Sequence, residues 1–201
     1  MVLSFKLLGV KIEISYLLIS MLALFSYFDK SGIFLAAFFS ALLHECGHII
    51  ATIICKIPIK ELAFKPFGIR MRLRTSLELV CFKNKLIILF GGSFTNFIFF
   101  LLFWAAFGKI SDYAIVHLIT GVFNLLPSGT LDGGRILEQI LSLKIPEHRA
   151  KLFCDIISMI FAILLFVLGL FILMRTKYNI SLLITAIYLF IMIIVRQKKL
   201  K

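Results

Sequence analysis

Two histidines and a glutamate interrupt an apolar stretch as His44-Glu45-Cys46-Gly47-His48. On a helix, residues four apart lie on one face, so His44 and His48 can present two imidazoles to a single Zn²⁺. Glu45 sits beside them, where a carboxylate can take a proton from an activated water. Residues 33–43 before the motif and 49–55 after it carry no charge. Ionisable groups inside a run long enough to cross a bilayer are costly and mark function. A solvated polar face is not available in such a segment. A core histidine satisfied by a neighbour would account for one imidazole, not for the whole pattern. Cys46 lies about 200° around the helix from His44 and faces away from a shared metal.

A catalytic zinc usually takes three protein ligands and keeps one position open. Among the ten acidic residues, Asp132 stands out: it directly follows an apolar span and lies between Leu131 and Gly133-Gly134. Glycines let the backbone turn tightly there. Alone, Asp-Gly-Gly reads as a turn; beside the His-Glu motif it becomes the candidate third ligand. His117, in the middle of a span, reads as a packed core histidine. His148, between Glu147 and Arg149, reads as solvated.

The elements that must carry these groups follow from composition. The chain has 201 residues, of which 61% are hydrophobic and 16% charged, with mean hydropathy +1.06. Soluble domains are about 45–50% apolar and about 25% charged, so this is an integral membrane protein, expected to form one membrane domain over residues 1–201. The net charge of +12 does not point to nucleic acid, because the basic residues border apolar spans. Cys46, Cys55, Cys81 and Cys154 form no Cys-x-x-Cys pair or disulfide framework and read as structural thiols. The first nine residues lack a clean cleavage site and are expected to be retained.

Six apolar spans are expected, over residues 15–28, 33–55, 86–107, 113–126, 152–174 and 180–195. Residues 10–14 alternate as a strand. Residues 68–74 do the same, with 61–64 before them and Pro66-Phe67-Gly68 placed to turn a hairpin. An extended substrate can join such an edge, and the basic residues of 56–85 suit acidic substrate or anionic lipid. Gly91-Gly92-Ser93 and Asn96 allow close helix approach. A short helix is expected over 136–143. Of the 22 Lys and Arg, only Lys30, Lys109, Arg175 and Lys177 fall on the side opposite the termini, leaving 18 on the terminal side. Basic residues stay inside, so both termini and the His-Glu site face the cytoplasm. The fold class is thus an all-α polytopic membrane protein, with a small membrane-associated β-hairpin or sheet between the second and third of six transmembrane helices.

His44-Glu45-x-x-His48 followed by Asn124-Leu125-Leu126-Pro127 and Leu131-Asp132-Gly133-Gly134-Arg135 resembles the site-2 protease family of intramembrane zinc metalloproteases. The resemblance runs from Val10 to about Leu143. It implies one zinc held by His44, His48 and Asp132, with Glu45 as general base and Asn124 supporting substrate or transition state. Six spans and an inward-facing site resemble most the subgroup containing stage IV sporulation protein FB. That resemblance implies a bacterial cell membrane, a membrane-associated sigma-factor precursor as substrate and an inhibitory membrane partner. Thr130 departs from the Pro, and Ser93 from the Gly-Pro pair, common in the family. No room is left within the 201 residues for a CBS or PDZ domain.

Two other classes fit part of the pattern. A membrane metal-binding or transport protein would use the same ligands but gives no reason for Glu45, and no repeated halves are visible. An inactive relative serving as a binding partner would not need the intact motif.

Overall fold

The computed structural model describes residues 2–7, 9–65, 68–75, 79–129 and 131–198. In chain order the elements are β1 (Val2–Leu7), β2 (Val10–Ser15), α1 (Tyr16–Phe28), α2 (Ile33–Ile54), β3 (Ile59–Lys65), β4 (Gly68–Leu73), α3 (Phe82–Phe107), α4 (Asp112–Asn124), α5 (Asp132–Leu141), α6 (Glu147–Thr176) and α7 (Ser181–Lys198). The molecule is mostly helical with one small sheet. α2, α3 and α6 are long and apolar enough to cross a membrane, while α1 and α7 are shorter apolar helices. The elements group into two compact units, 1–123 and 124–201.

In the first unit, the strands form one sheet in the order β1-β2-β3-β4. β1 pairs antiparallel with β2, β2 parallel with β3, and β3 antiparallel with β4. The register places Phe5, Ile12, Leu62 and Met71 in one row across all four strands. The next row is Lys6, Lys11, Glu61 and Arg72. Because side chains alternate between faces, the sheet is apolar on one face and charged on the other. The sheet is larger than expected. Two of its strands come from the N-terminus rather than from the segment between α2 and α3. β1 alternates apolar and polar through Leu3-Ser4-Phe5-Lys6-Leu7 and pairs with β2 along its whole length. The hairpin expected at Pro66-Phe67-Gly68 falls at Pro66 and Phe67 outside the described residues, but β3 and β4 do pair as its two arms.

α2 and α3 pack through glycines. A Cβ on Gly47 would lie 2.3 Å from the Gly91 carbonyl oxygen, and one on Gly91 would lie 2.8 Å from the Ala51 Cβ. Backbone oxygen cannot yield at such distances, so a side chain at either glycine would force the two helices apart. The short approach expected of Gly91 and Gly92 is therefore present, and Gly47 is its partner.

In the second unit, the chain runs through a tight turn into α5 and then into α6 and α7. Ser128 N–H donates to Leu126 O (2.7 Å) and Leu131 N–H to Ser128 O (2.8 Å). Asp132 is not in a loop, as expected, but opens α5. Gly133 and Gly134 serve close approach rather than a turn: added Cβ atoms would lie 2.0 Å from the carbonyl oxygens of Leu125 and Ser128. The turn before α5 folds directly onto its first residues.

Candidate metal centre

Helical spacing brings His44 and His48 together as the sequence implies. Their Nε2 atoms lie 3.1 Å apart, with the rings edge to face. Two nitrogens bound tetrahedrally to zinc at about 2.0–2.1 Å sit about 3.3 Å apart, so the pair matches a shared metal. Each ring is held from its other nitrogen. His48 Nδ1–H donates to Ile88 O at 2.7 Å, which leaves Nε2 as the lone-pair nitrogen. His44 Nδ1 meets the Asn96 side-chain amide at 3.3 Å.

Gly92 on α3 makes the space for both imidazoles. A Cβ there would fall 2.5 Å from His48 Nε2 and 2.6 Å from His44 Nε2. The two nitrogens that face each other also face a position where no side chain can stand. A divalent cation fits this donor set: two neutral imidazoles whose Nδ1 atoms are engaged, converging over a glycine.

Glu45 lies beside the pair on α2, and its Oε1 is 3.4 Å from where a Cβ on Gly68 would be. Gly68 begins β4 with φ +117°, a conformation that favours glycine. β4 is also the outer strand of the sheet. An edge strand therefore starts next to the motif carboxylate.

Behind His44 runs a polar network buried among apolar side chains. Asn96 is fully buried, as is Ser40, and His117 is 4% exposed. Asn96 Oδ1 lies 3.2 Å from His117 Nδ1, and Ser40 Oγ lies 3.2 Å from the same nitrogen. Ser40 Oγ–H donates to Thr120 Oγ1 (3.0 Å), which donates to Val116 O (2.8 Å). The His117 ring stacks against Phe99 and Phe103, with centroids 5.4 and 5.6 Å away. Read from sequence, His117 is a packed core histidine and Asn96 a helix-approach residue. Here they join through one chain of polar contacts. The sequence carried one signal for them, polar groups in the middle of apolar spans.

The second unit holds Asp132 and Asn124. Asp132 is 8% exposed and is the acidic residue in the first turn of α5, where the helix dipole favours negative charge. Asn124 is half-buried at the end of α4. The turn before Asp132 is gripped from α6 and α7. Gly129 N–H donates to Ser158 Oγ at 2.6 Å, and Arg196 Nη1 donates to Gly129 O. Arg196 Nη2 also pairs with Glu138, and its Nε lies 3.8 Å from Asp155 Oδ1. The three charged side chains are 18%, 12% and 6% exposed.

His148 is exposed at the start of α6, as expected. Cys46 and Cys55 are half-buried, Cys81 exposed and Cys154 buried, all as free thiols. Ser93 is fully buried, and its Oγ has no hydrogen-bond partner among the described residues. Thr130 lies outside the described residues.

Residues 110–168 match the model of peptidase family M50. A zinc metalloprotease of Methanocaldococcus jannaschii is 28% identical over 158 residues, which are 70% of this chain and 45% of the relative. The chain thus spans less than half the length of that relative. Among solved structures, a site-2 protease from Methanocaldococcus jannaschii superposes with a TM-score of 0.66 at 23% identity. That match covers 95% of this chain and 93% of the other, so the two share a fold.

Proposed function

From the kinship of this chain with the site-2 proteases, we propose that it is an intramembrane zinc metalloendopeptidase acting on a membrane-associated protein. The motif spacing supports His44, His48 and Asp132 as its ligands. The observation that carries this reading is the convergence of the two imidazole Nε2 atoms at 3.1 Å beside Glu45. Zinc there supplies polarisation of the scissile carbonyl and acidification of a water. Glu45 takes the proton from the attacking water and delivers it to the departing amine. Asn124 donates a hydrogen bond to the developing oxyanion. A substrate helix must unwind before its peptide bond is reachable. The outer edge of β4, which begins at Gly68 beside Glu45, suits an extended segment added as a further strand.

We take the whole chain as one catalytic domain crossing the membrane six times, by α1, α2, α3, α4, α6 and α7. α1 and α4, at 13 residues each, are about 20 Å long, short of a hydrocarbon core of about 30 Å. Local bilayer thinning accommodates such a mismatch. The distribution of Lys and Arg supports termini and active site on the cytoplasmic side of a bacterial cell membrane. Within this reading, the resemblance to the sporulation subgroup favours a sigma-factor precursor as substrate and an inhibitory membrane partner.

Co-expression with membrane-tethered transcription-factor precursors tests the proposal. Glu45→Gln is expected to lower cleavage by roughly 10²–10⁴-fold while keeping its zinc. Asp132→Ala is expected to lose metal. Cleavage by Glu45→Gln at the wild-type rate would rule out the mechanism, and an unchanged zinc content in Asp132→Ala would remove the third ligand.

A further inference from the structure

We propose that Asn96 and His117 are positioning residues that set which nitrogen of His44 carries its proton, and so whether His44 can bind metal. This rests on the zinc reading above. The links come from three helices of the first unit: His44 on α2, Asn96 on α3 and His117 on α4.

A neutral imidazole has one N–H donor and one lone pair. The chain of contacts can therefore run in two directions. In one, His117 Nδ1–H donates to Asn96 Oδ1, and Asn96 Nδ2–H donates to His44 Nδ1. The proton of His44 then sits on Nε2 and points at His48 Nε2, 3.1 Å away. That direction closes the site to a cation. In the other, the Asn96 amide is turned over. Its oxygen accepts from His44 Nδ1–H and its nitrogen donates to the lone pair of His117 Nδ1. His44 Nε2 is then the lone-pair nitrogen and points, with His48 Nε2, at the position over Gly92.

Oxygen and nitrogen of an amide have nearly the same shape, so hydrogen bonding alone decides the orientation. His48 has no such choice, because a backbone carbonyl can only accept, and Ile88 O fixes it permanently as Nδ1–H. The two rings are thus held by different devices: one fixed, one reversible. The direction that admits a metal has the proton of His44 on Nδ1, the Asn96 oxygen turned toward His44 and a lone pair on His117 Nδ1.

The substitutions separate this from packing. Asn96→Asp keeps an acceptor toward His44 whether the acid is ionised or protonated. Asn96→Leu keeps volume and loses both links. His117→Phe keeps the stack with Phe99 and Phe103 and loses the acceptor, whereas His117→Gln can restore one. Zinc affinity would be measured by chelator competition on the full chain in nanodiscs, with ¹⁵N shifts of His44 reporting the tautomer. Asn96→Leu should weaken zinc roughly 10–100-fold, as loss of an orienting partner does, and lose the Nδ1–H signature. Asn96→Asp should stay near wild type, and His117→Gln should bind more tightly than His117→Phe. A wild-type chain that binds zinc with Asn96→Leu equal to it, or with Asn96→Asp as weak as Asn96→Leu, overturns this inference alone. A wild-type chain that takes no zinc overturns the metalloprotease reading as well.

Discussion

The two buried polar clusters of this protein are made of opposite materials. Behind His44 and His48, the supporting groups are neutral: Asn96, His117, Ser40, Thr120 and the carbonyl of Ile88. Around the turn that leads to Asp132 they are charged: Arg196, Glu138 and Asp155, with Ser158 as the neutral member. A neutral chain of amide and imidazole can reverse direction at little cost, which suits a ring that must offer a lone pair. A buried guanidinium held by two carboxylates cannot rearrange without exposing an uncompensated charge. It suits a segment whose backbone must stay in one place. The difference teaches that the two units solve separate problems, proton placement in one and backbone placement in the other.

Arg196→Met should break the charged cluster hardest. It strands Glu138 and Asp155 and releases the Gly129 carbonyl, and loss of one buried partner costs about 3–5 kcal/mol. Thermal unfolding in detergent would show it, and adding Glu138→Gln to the same chain should recover part of the loss. If Arg196→Met unfolds like wild type, the cluster does not hold the turn. Gly92→Ala is the matching break in the neutral region. Its Cβ would meet two imidazole nitrogens at 2.5 and 2.6 Å, and overpacking costs about 1–3 kcal/mol. Here the larger signal should be metal affinity rather than unfolding temperature, read by zinc titration. A variant that binds zinc normally would show that the rings do not need that space. Ser158→Ala should have the smallest effect, about 1 kcal/mol, because it removes one neutral acceptor from Gly129 N–H. It should move stability with no change in zinc.

Much of this could be read from residue types. α2, α3 and α6 were legible as long, mostly apolar runs, and their ends fall within about five residues of expectation. The His44–His48 pair was legible because helical spacing alone puts the two on one face. β1 was legible too, since Leu3-Ser4-Phe5-Lys6-Leu7 alternates apolar and polar, but the first nine residues were weighed only as a leader. Asp132 was read in a loop because Gly133-Gly134 resembles a turn. The glycines instead leave room for the carbonyls of Leu125 and Ser128, a tertiary requirement that no local pattern encodes. Asn96 and His117 belong to different helices, so the chain of contacts from His44 through Asn96 to His117 follows only from how α3 and α4 lie against α2. Arg196 was counted only among the 18 basic residues on the side of the termini. Its burial against Glu138, Asp155 and Gly129 depends on the packing of α5, α6 and α7.

Zinc-edge X-ray absorption on the purified full chain tests the central claim most directly. The account predicts one zinc per chain, with two imidazole nitrogens and oxygen donors at about 2.0–2.2 Å, and loss of imidazole scattering in His44→Ala. A sulfur shell at about 2.3 Å, or a chain that purifies without zinc and takes none up, would contradict it.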